Sequence, residues 1–205
     1  MTINKGYGLI FLFIFFAPFF LNAQTDSTIA NAPKTEKWYV PDYLKLQFAG
    51  NIGFVSLGAG YSWWKEKAQS DLLYGYVPEY HGNARIHTFT QKNSFRLINF
   101  EHRDFDFSVT TGFSVSFEPG QNSYVKIPNK YPDGYYSPNC VYACFFLGNK
   151  LTFAMDKKYY FKKLETYFEI NALADYIFYN VIAGEERSSK IFSFAVGLHF
   201  FFPDN

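Results

Sequence analysis

The chain has 205 residues, with 19 Lys and Arg against 18 Asp and Glu, 48% hydrophobic and 22% aromatic residues. That length suits one sizeable domain. Near-neutral charge with no basic block gives a nucleic-acid backbone nothing to grip, and the apolar content excludes a disordered chain. The excess lies in 26 Phe, 17 Tyr and 3 Trp, and it points to a location more than to a chemistry.

Residues 1–23 read as a secretory signal peptide. Lys5 supplies the positive start, Gly8 to Leu21 the apolar run, and Ala23 before Gln24 the small residue at the cleavage point. The run is about 14 residues long and broken by Pro18, short of the roughly 20 that a spanning helix needs. No Cys follows to take a lipid, and no later stretch is long and apolar enough for a helical span. Residues 24–41 are polar, contain Pro33 and Pro41, and form a lead-in.

From 42 to 202 the hydrophobic period is two. Residues 42–49 alternate with one parity. Val55, Leu57, Ala59, Tyr61 and Trp63, set against Ser56, Gly58, Gly60 and Ser62, alternate with the other. The flip across Gly50-Asn51-Ile52-Gly53 is either a tight hairpin or a bulge. Segments 70–77 and 86–96 are strand-like without a clear apolar face. The cleanest alternation places Phe105, Phe107, Val109, Phe113, Val115 and Phe117 on one face, and Ser108, Thr110, Gly112, Ser114 and Ser116 on the other. Val141, Ala143, Phe145, Leu147, Leu151 and Phe153 form a further row, and Leu164, Phe168 and Ile170 oppose Glu165, Tyr167 and Glu169. Phe192, Phe194, Val196, Leu198, Phe200 and Phe202 make the last. Taking the hairpin, the strands are 42–49, 54–64, 70–77, 85–96, 104–118, 140–154, 164–178 and 190–202. No segment carries a helical stripe. The class is all-β, and residues 42–202 form a single closed antiparallel β-barrel.

Alternation alone does not say whether the apolar face looks inward or outward. Three features turn it outward, into lipid. The polar faces hold Ser, Thr and Gly where a solvated face would carry more charge, and small residues suit the narrow lumen of eight strands. Aromatics gather at strand ends, in Tyr61 to Trp64, Tyr74 to Tyr76, Tyr159 to Phe161 and Tyr176 to Tyr179, as interfacial girdles would. The strands are also long enough for tilted spans. With its leader, its alternating strands and its final aromatic strand, the chain resembles the small outer-membrane β-barrel proteins of double-membrane bacteria. In that family the terminal aromatic and the alternate apolar residues before it are read by the barrel-insertion machinery. Phe194, Val196, Leu198, Phe200 and Phe202 match, while Pro203-Asp204-Asn205 overhang the usual end. The resemblance implies a cell outer-membrane location and contact with its lipid. It is architectural and carries over no functional residue.

A start on the inner side of that membrane puts connections 65–69, 97–103 and 155–163 inside and the longest, 119–139, outside, as such barrels prefer. Asp71, Lys92, Arg96, Asp106, Glu118, Lys150, Glu165, Glu169, Asp175 and His199 are the expected lumen-facing ionisable residues, paired into a salt-bridged plug. A hydrolase acting on lipid A acyl chains would need Ser, His and an acid in mutual reach. His87 and His199 are available, but His87 is followed by Thr88-Phe89-Thr90 and no local motif joins the three. A secreted, lipocalin-like barrel around an apolar ligand is the other alternative. No catalytic residue, metal site or cofactor is read from the sequence. Cys140 and Cys144 on one strand lie roughly 13 Å apart, beyond the about 7 Å of a disulfide, and are read as unpaired. The binding surface best marked is the outward loop with Tyr124, Tyr131, Tyr135 and Tyr136, whose rings and neighbouring amides suit a glycan or a protein.

Overall fold

The computed structural model describes residues 39–79, 85–120, 123–124, 140–155, 159–177 and 192–203. Eight strands run in chain order. They are β1 (Tyr43–Ala49), β2 (Val55–Trp63), β3 (Ala68–Val77), β4 (Ile86–Glu101), β5 (Asp106–Phe117), β6 (Val141–Ala154), β7 (Lys163–Leu173) and β8 (Phe192–Phe201). Each pairs antiparallel with its sequence neighbour, and β8 pairs with β1 to close the barrel. Followed pair by pair around the circumference, the register advances by about ten residues, the stagger that tilts the strands.

One end of the barrel, called the near end here because β1 starts there, carries the turns at 64–67, 102–105 and 155–162. The far end carries the connections at 50–54, 78–85, 118–140 and 174–191. Two of the near-end connections are closed at their base: His102 N donates to Phe105 O at 3.0 Å, and Met155 N to Lys162 O at 3.0 Å. The seam is sealed from both sides, since Lys162 N donates to Phe201 O and Phe202 N to Asp42 O, both at 2.9 Å.

The alternation decides which side chain meets which side of the wall. On β5, Ser108, Thr110, Gly112, Ser114 and Ser116 are buried inside, while Phe107, Val109, Phe113, Val115 and Phe117 form the outer face. The strand expected at 85–96 runs on to Glu101. A bulge between Arg96 and Ile98 leaves Leu97 and Ile98 both exposed, which breaks the period-two signal there. The strand expected to reach 178 stops at Leu173, and Ala174–Ile177 form a single helical turn, α1. Residues 50–53 are a hairpin: Ala49 N donates to Phe54 O at 3.1 Å, and the turn holds Ala49, Gly50 and Asn51 at φ 62, 81 and 63°. Cys140 and Cys144 are both buried and free.

Candidate functional site

The lumen is built from the inward residues of every strand. Three lysines, Lys45, Lys92 and Lys150, meet three carboxylates, Asp71, Glu165 and Glu169, and all six are buried. Lys45 Nζ lies 2.6 Å from Asp71 Oδ2, and the Tyr43 hydroxyl donates to Asp71 Oδ1 at 2.5 Å. Lys92 pairs with Glu169 and donates to Gln47 Oε1 at 3.1 Å, an oxygen that also accepts from the Tyr167 hydroxyl at 3.0 Å. Lys150 donates to Gln69 and stands 3.8 Å from Glu165 Oε2, which His199 Nδ1 approaches to 2.9 Å. Aromatic faces cover the lysine heads: Lys92 lies 4.4 Å from the Phe146 ring centre and Lys45 4.8 Å from that of Tyr167. Charges taken out of water need such pairing, because each unpaired ion costs several kcal/mol, on the order of the protein's whole stability.

Of the ionisable residues expected in the lumen, Asp71, Lys92, Lys150, Glu165, Glu169 and His199 are there. Four others are not fully inside. Asp175 is exposed, because it lies in α1 beyond the end of β7. Glu118 follows the last residue of β5 at the far rim, where partial burial holds its carboxyl above the ordinary carboxylate range. Asp106 and Arg96 are half-buried toward the near end. Sequence reasoning missed Lys45, Gln47 and Tyr43. The opposite parity of 42–49 was their signal, since outward Leu44, Leu46 and Phe48 force the intervening residues inward.

Among the described residues, a turn reaches across each end of the barrel. At the far end the hairpin between β1 and β2 folds inward. Ile52 is 2% exposed, and its carbonyl stands where a Cβ on Gly75 would fall, so only glycine admits it. The Tyr142 hydroxyl donates to Asn51 O at 2.8 Å from the opposite wall. At the near end Glu66, from a turn with Trp64, Lys65 and Glu66 all at positive φ, reaches Lys163 at 2.6 Å and Arg96 at 3.8 Å. Three successive left-handed non-glycine residues are costly, and the ion pairs they deliver lie across the opening.

The outer face has a different chemistry. Exposed apolar residues appear on every strand, including Leu46, Leu57, Leu72, Phe89, Phe117, Leu147, Ile170 and Val196. Rings cluster toward the two ends. Near the first are Tyr61 with Trp63 at 6.2 Å and Phe161 with Phe200 at 5.3 Å; near the second are Phe48 with Phe54 at 4.8 Å and Tyr74 with Phe89 at 5.4 Å. The girdle expected of Tyr159 to Phe161 therefore joins that of Tyr61 to Trp64 at one end, and Tyr74 to Tyr76 is at the other. Residues 178 and 179 of the fourth group lie outside the described residues.

The two histidines considered for hydrolysis are far apart in role. His199 has an acid partner in Glu165, but it is fully buried against the rings of Tyr43 and Tyr167. His87 shares a hydrogen bond of 2.6 Å with the Tyr74 hydroxyl on the outer face. Among the described residues no group of three or more His, Cys, Asp or Glu is placed to hold a metal ion. Of the loop tyrosines, Tyr124 is half-buried at the far end, where its carbonyl accepts from Cys140 N at 3.4 Å. Tyr131, Tyr135 and Tyr136 lie outside the described residues. Comparison with protein-family models, with curated proteins and with solved structures finds no match for this chain.

Proposed function

We propose that the chain is an outer-membrane β-barrel protein with a structural or binding role, engaging its partner through the far-end loops. The observation that carries this reading is the completeness of the apolar belt. A soluble protein that exposes an apolar patch covers it with one partner on one side, and such patches rarely exceed a few hundred Å². Here every strand contributes exposed apolar side chains around the whole circumference. A bilayer is the environment that covers a cylinder from all sides, and a closed barrel is the sheet form it accepts.

The interior argues the same way. A carrier of an apolar ligand needs an apolar cavity, whereas this lumen is filled by paired charges, amides and hydroxyls. The His199–Glu165 pair is sealed inside that network, away from any acyl chain on the outer wall. A partner would therefore meet the loops, which rigid strands hold in place. The barrel is complete without the longest of them, since Phe117 pairs with Val141 and Glu118 N donates to Cys140 O at 2.8 Å.

Fractionation with electrophoresis of unboiled and boiled samples tests the location. The expected result is outer-membrane recovery and faster migration unboiled; recovery in the soluble fraction sinks the reading. Deleting residues 121–137 tests the binding role. The barrel should still fold and insert while losing its partner in a pull-down from the cell envelope, and a deletion that blocks folding makes the loop structural instead.

A further inference from the structure

The outer wall is not uniform. On β8, β1 and β2 its residues are apolar without interruption from Phe192 through Phe200, Leu44 through Phe48 and Val55 through Ala59. On β3, β4 and β5 the same wall carries Ser70, Gln91, Asn93 and Thr111, all half-buried. Ser70 stands directly opposite Asn93 and donates to its Oδ1 at 2.9 Å. Gln91 Nε2 donates to the same oxygen at 3.3 Å. Thr111, diagonal to Asn93 across the next ladder, turns its hydroxyl to Phe146 O at 2.9 Å. Asn93 and Thr111 lie halfway along their strands, far from either girdle.

In hydrocarbon a carboxamide must satisfy both its donors and its acceptor, because no water is there to do so. The two bonds to Asn93 Oδ1 leave the Asn93 amide nitrogen and the Gln91 carbonyl for another partner. What fits is a surface presenting one carbonyl and one N–H side by side, with no net charge. The patch itself is such a surface. Turned about a twofold axis, a second copy sets its Gln91 carbonyl on the first copy's Asn93 nitrogen and the reverse, as an isologous contact requires.

We infer that two copies of this chain associate side by side in the membrane through the β3–β5 wall, joined by reciprocal Asn93–Gln91 amide bonds. The inference rests on the outer-membrane reading. Leu72 is directly opposite Gln91 and is exposed, so it sits at the rim of the contact. Leu46 occupies the apolar wall across the barrel.

The test is thiol crosslinking of the full-length protein in intact outer membranes with a short bis-maleimide, comparing Leu72→Cys with Leu46→Cys. The unaltered protein, whose two thiols are buried, is the blank. A product of twice the chain's mass is expected from Leu72→Cys and not from Leu46→Cys. Adding Gln91→Leu and Asn93→Leu should cut it by about tenfold, the scale of an interhelical amide contact in lipid; each single change should cut it less. Those variants must still migrate faster unboiled, so loss of product is not loss of fold. Equal products at both positions, a product of any other mass, no product, or a product indifferent to both leucines overturns the inference and leaves the membrane reading standing. A protein found in the soluble fraction overturns both together.

Discussion

The inner and outer faces of this barrel are made by alternate residues of the same strands, yet they are specified in different ways. Apart from the polar patch of Ser70, Gln91, Asn93 and Thr111, the outer face asks for apolar character: Phe, Leu, Val and Ile recur around it with few defined partners. The inner face asks for particular neighbours. Lys92 without Glu169, or Asp71 without Lys45 and Tyr43, would be a stranded charge or acceptor. A wall that meets a solvent can be written as a composition; a wall that meets itself across a narrow lumen must be written residue by residue.

Removing one member of a lumen pair should have the largest effect. Lys92→Met leaves Glu169 charged and buried, at an expected cost of about 3–5 kcal/mol. Lys92→Met combined with Glu169→Met removes both charges and should recover most of that loss. Urea unfolding of refolded protein in detergent micelles gives both values, and a double variant as unstable as the single would show that the pairing is not what matters.

On the outer face, Phe113→Arg near mid-strand should cost about 2–4 kcal/mol in a bilayer, where a charge has no partner. The same variant should be nearly as stable as the parent if water bathes that wall, so ready tolerance in refolding into vesicles would overturn the membrane reading. A smaller loss belongs to the packing of the lumen. A methyl on Gly60 would fall on the Tyr43 hydroxyl and the Asp71 carboxylate. Gly60→Ala should therefore cost about 1–3 kcal/mol, as overpacking does, and a neutral result would mean that Tyr43 can swing clear.

The outer face was the legible one. Phe105 to Phe117 declares its strand because polar and apolar residues alternate with Thr111 as the one break in the apolar row, and Phe192 to Phe202 keeps an unbroken apolar row on one face. The segments around Ser70 and Gln91 gave no clear face for a physical reason: amides and a hydroxyl stand on the outer wall there, so both faces are polar. The bulge after Arg96 hid the end of β4 by placing two apolar residues on one side in succession. Inside, six of the ionisable residues could be named from parity, but their partners could not. Which lysine meets which carboxylate depends on the register between strands that are not neighbours in sequence, as with Lys92 and Glu169 or Lys45 and Asp71. The inward fold of the hairpin at 50–53 was equally hidden, since glycine and asparagine signal a turn without saying where it leans.

The smallest expected effect concerns that hairpin and separates two ways of sealing the lumen. Tyr142→Phe removes the hydroxyl that holds Asn51 O and also meets Ser116 and Thr88, a loss of about 0.5–1.5 kcal/mol per bond in unfolding. If the hairpin alone stoppers the barrel, loosening it should open an ion path measurable as conductance in planar bilayers. The structure places two further barriers in series beneath it, the paired charges of the lumen and the Glu66 bridge to Lys163 and Arg96. Conductance should therefore stay at the level of the parent protein in Tyr142→Phe. It should also stay there when Ile52→Ala is added, because the buried lysine–carboxylate pairs and the Glu66 bridge still occupy the lumen below both residues. A current appearing in either variant would make the hairpin the true gate and the charged lumen a hydrated path.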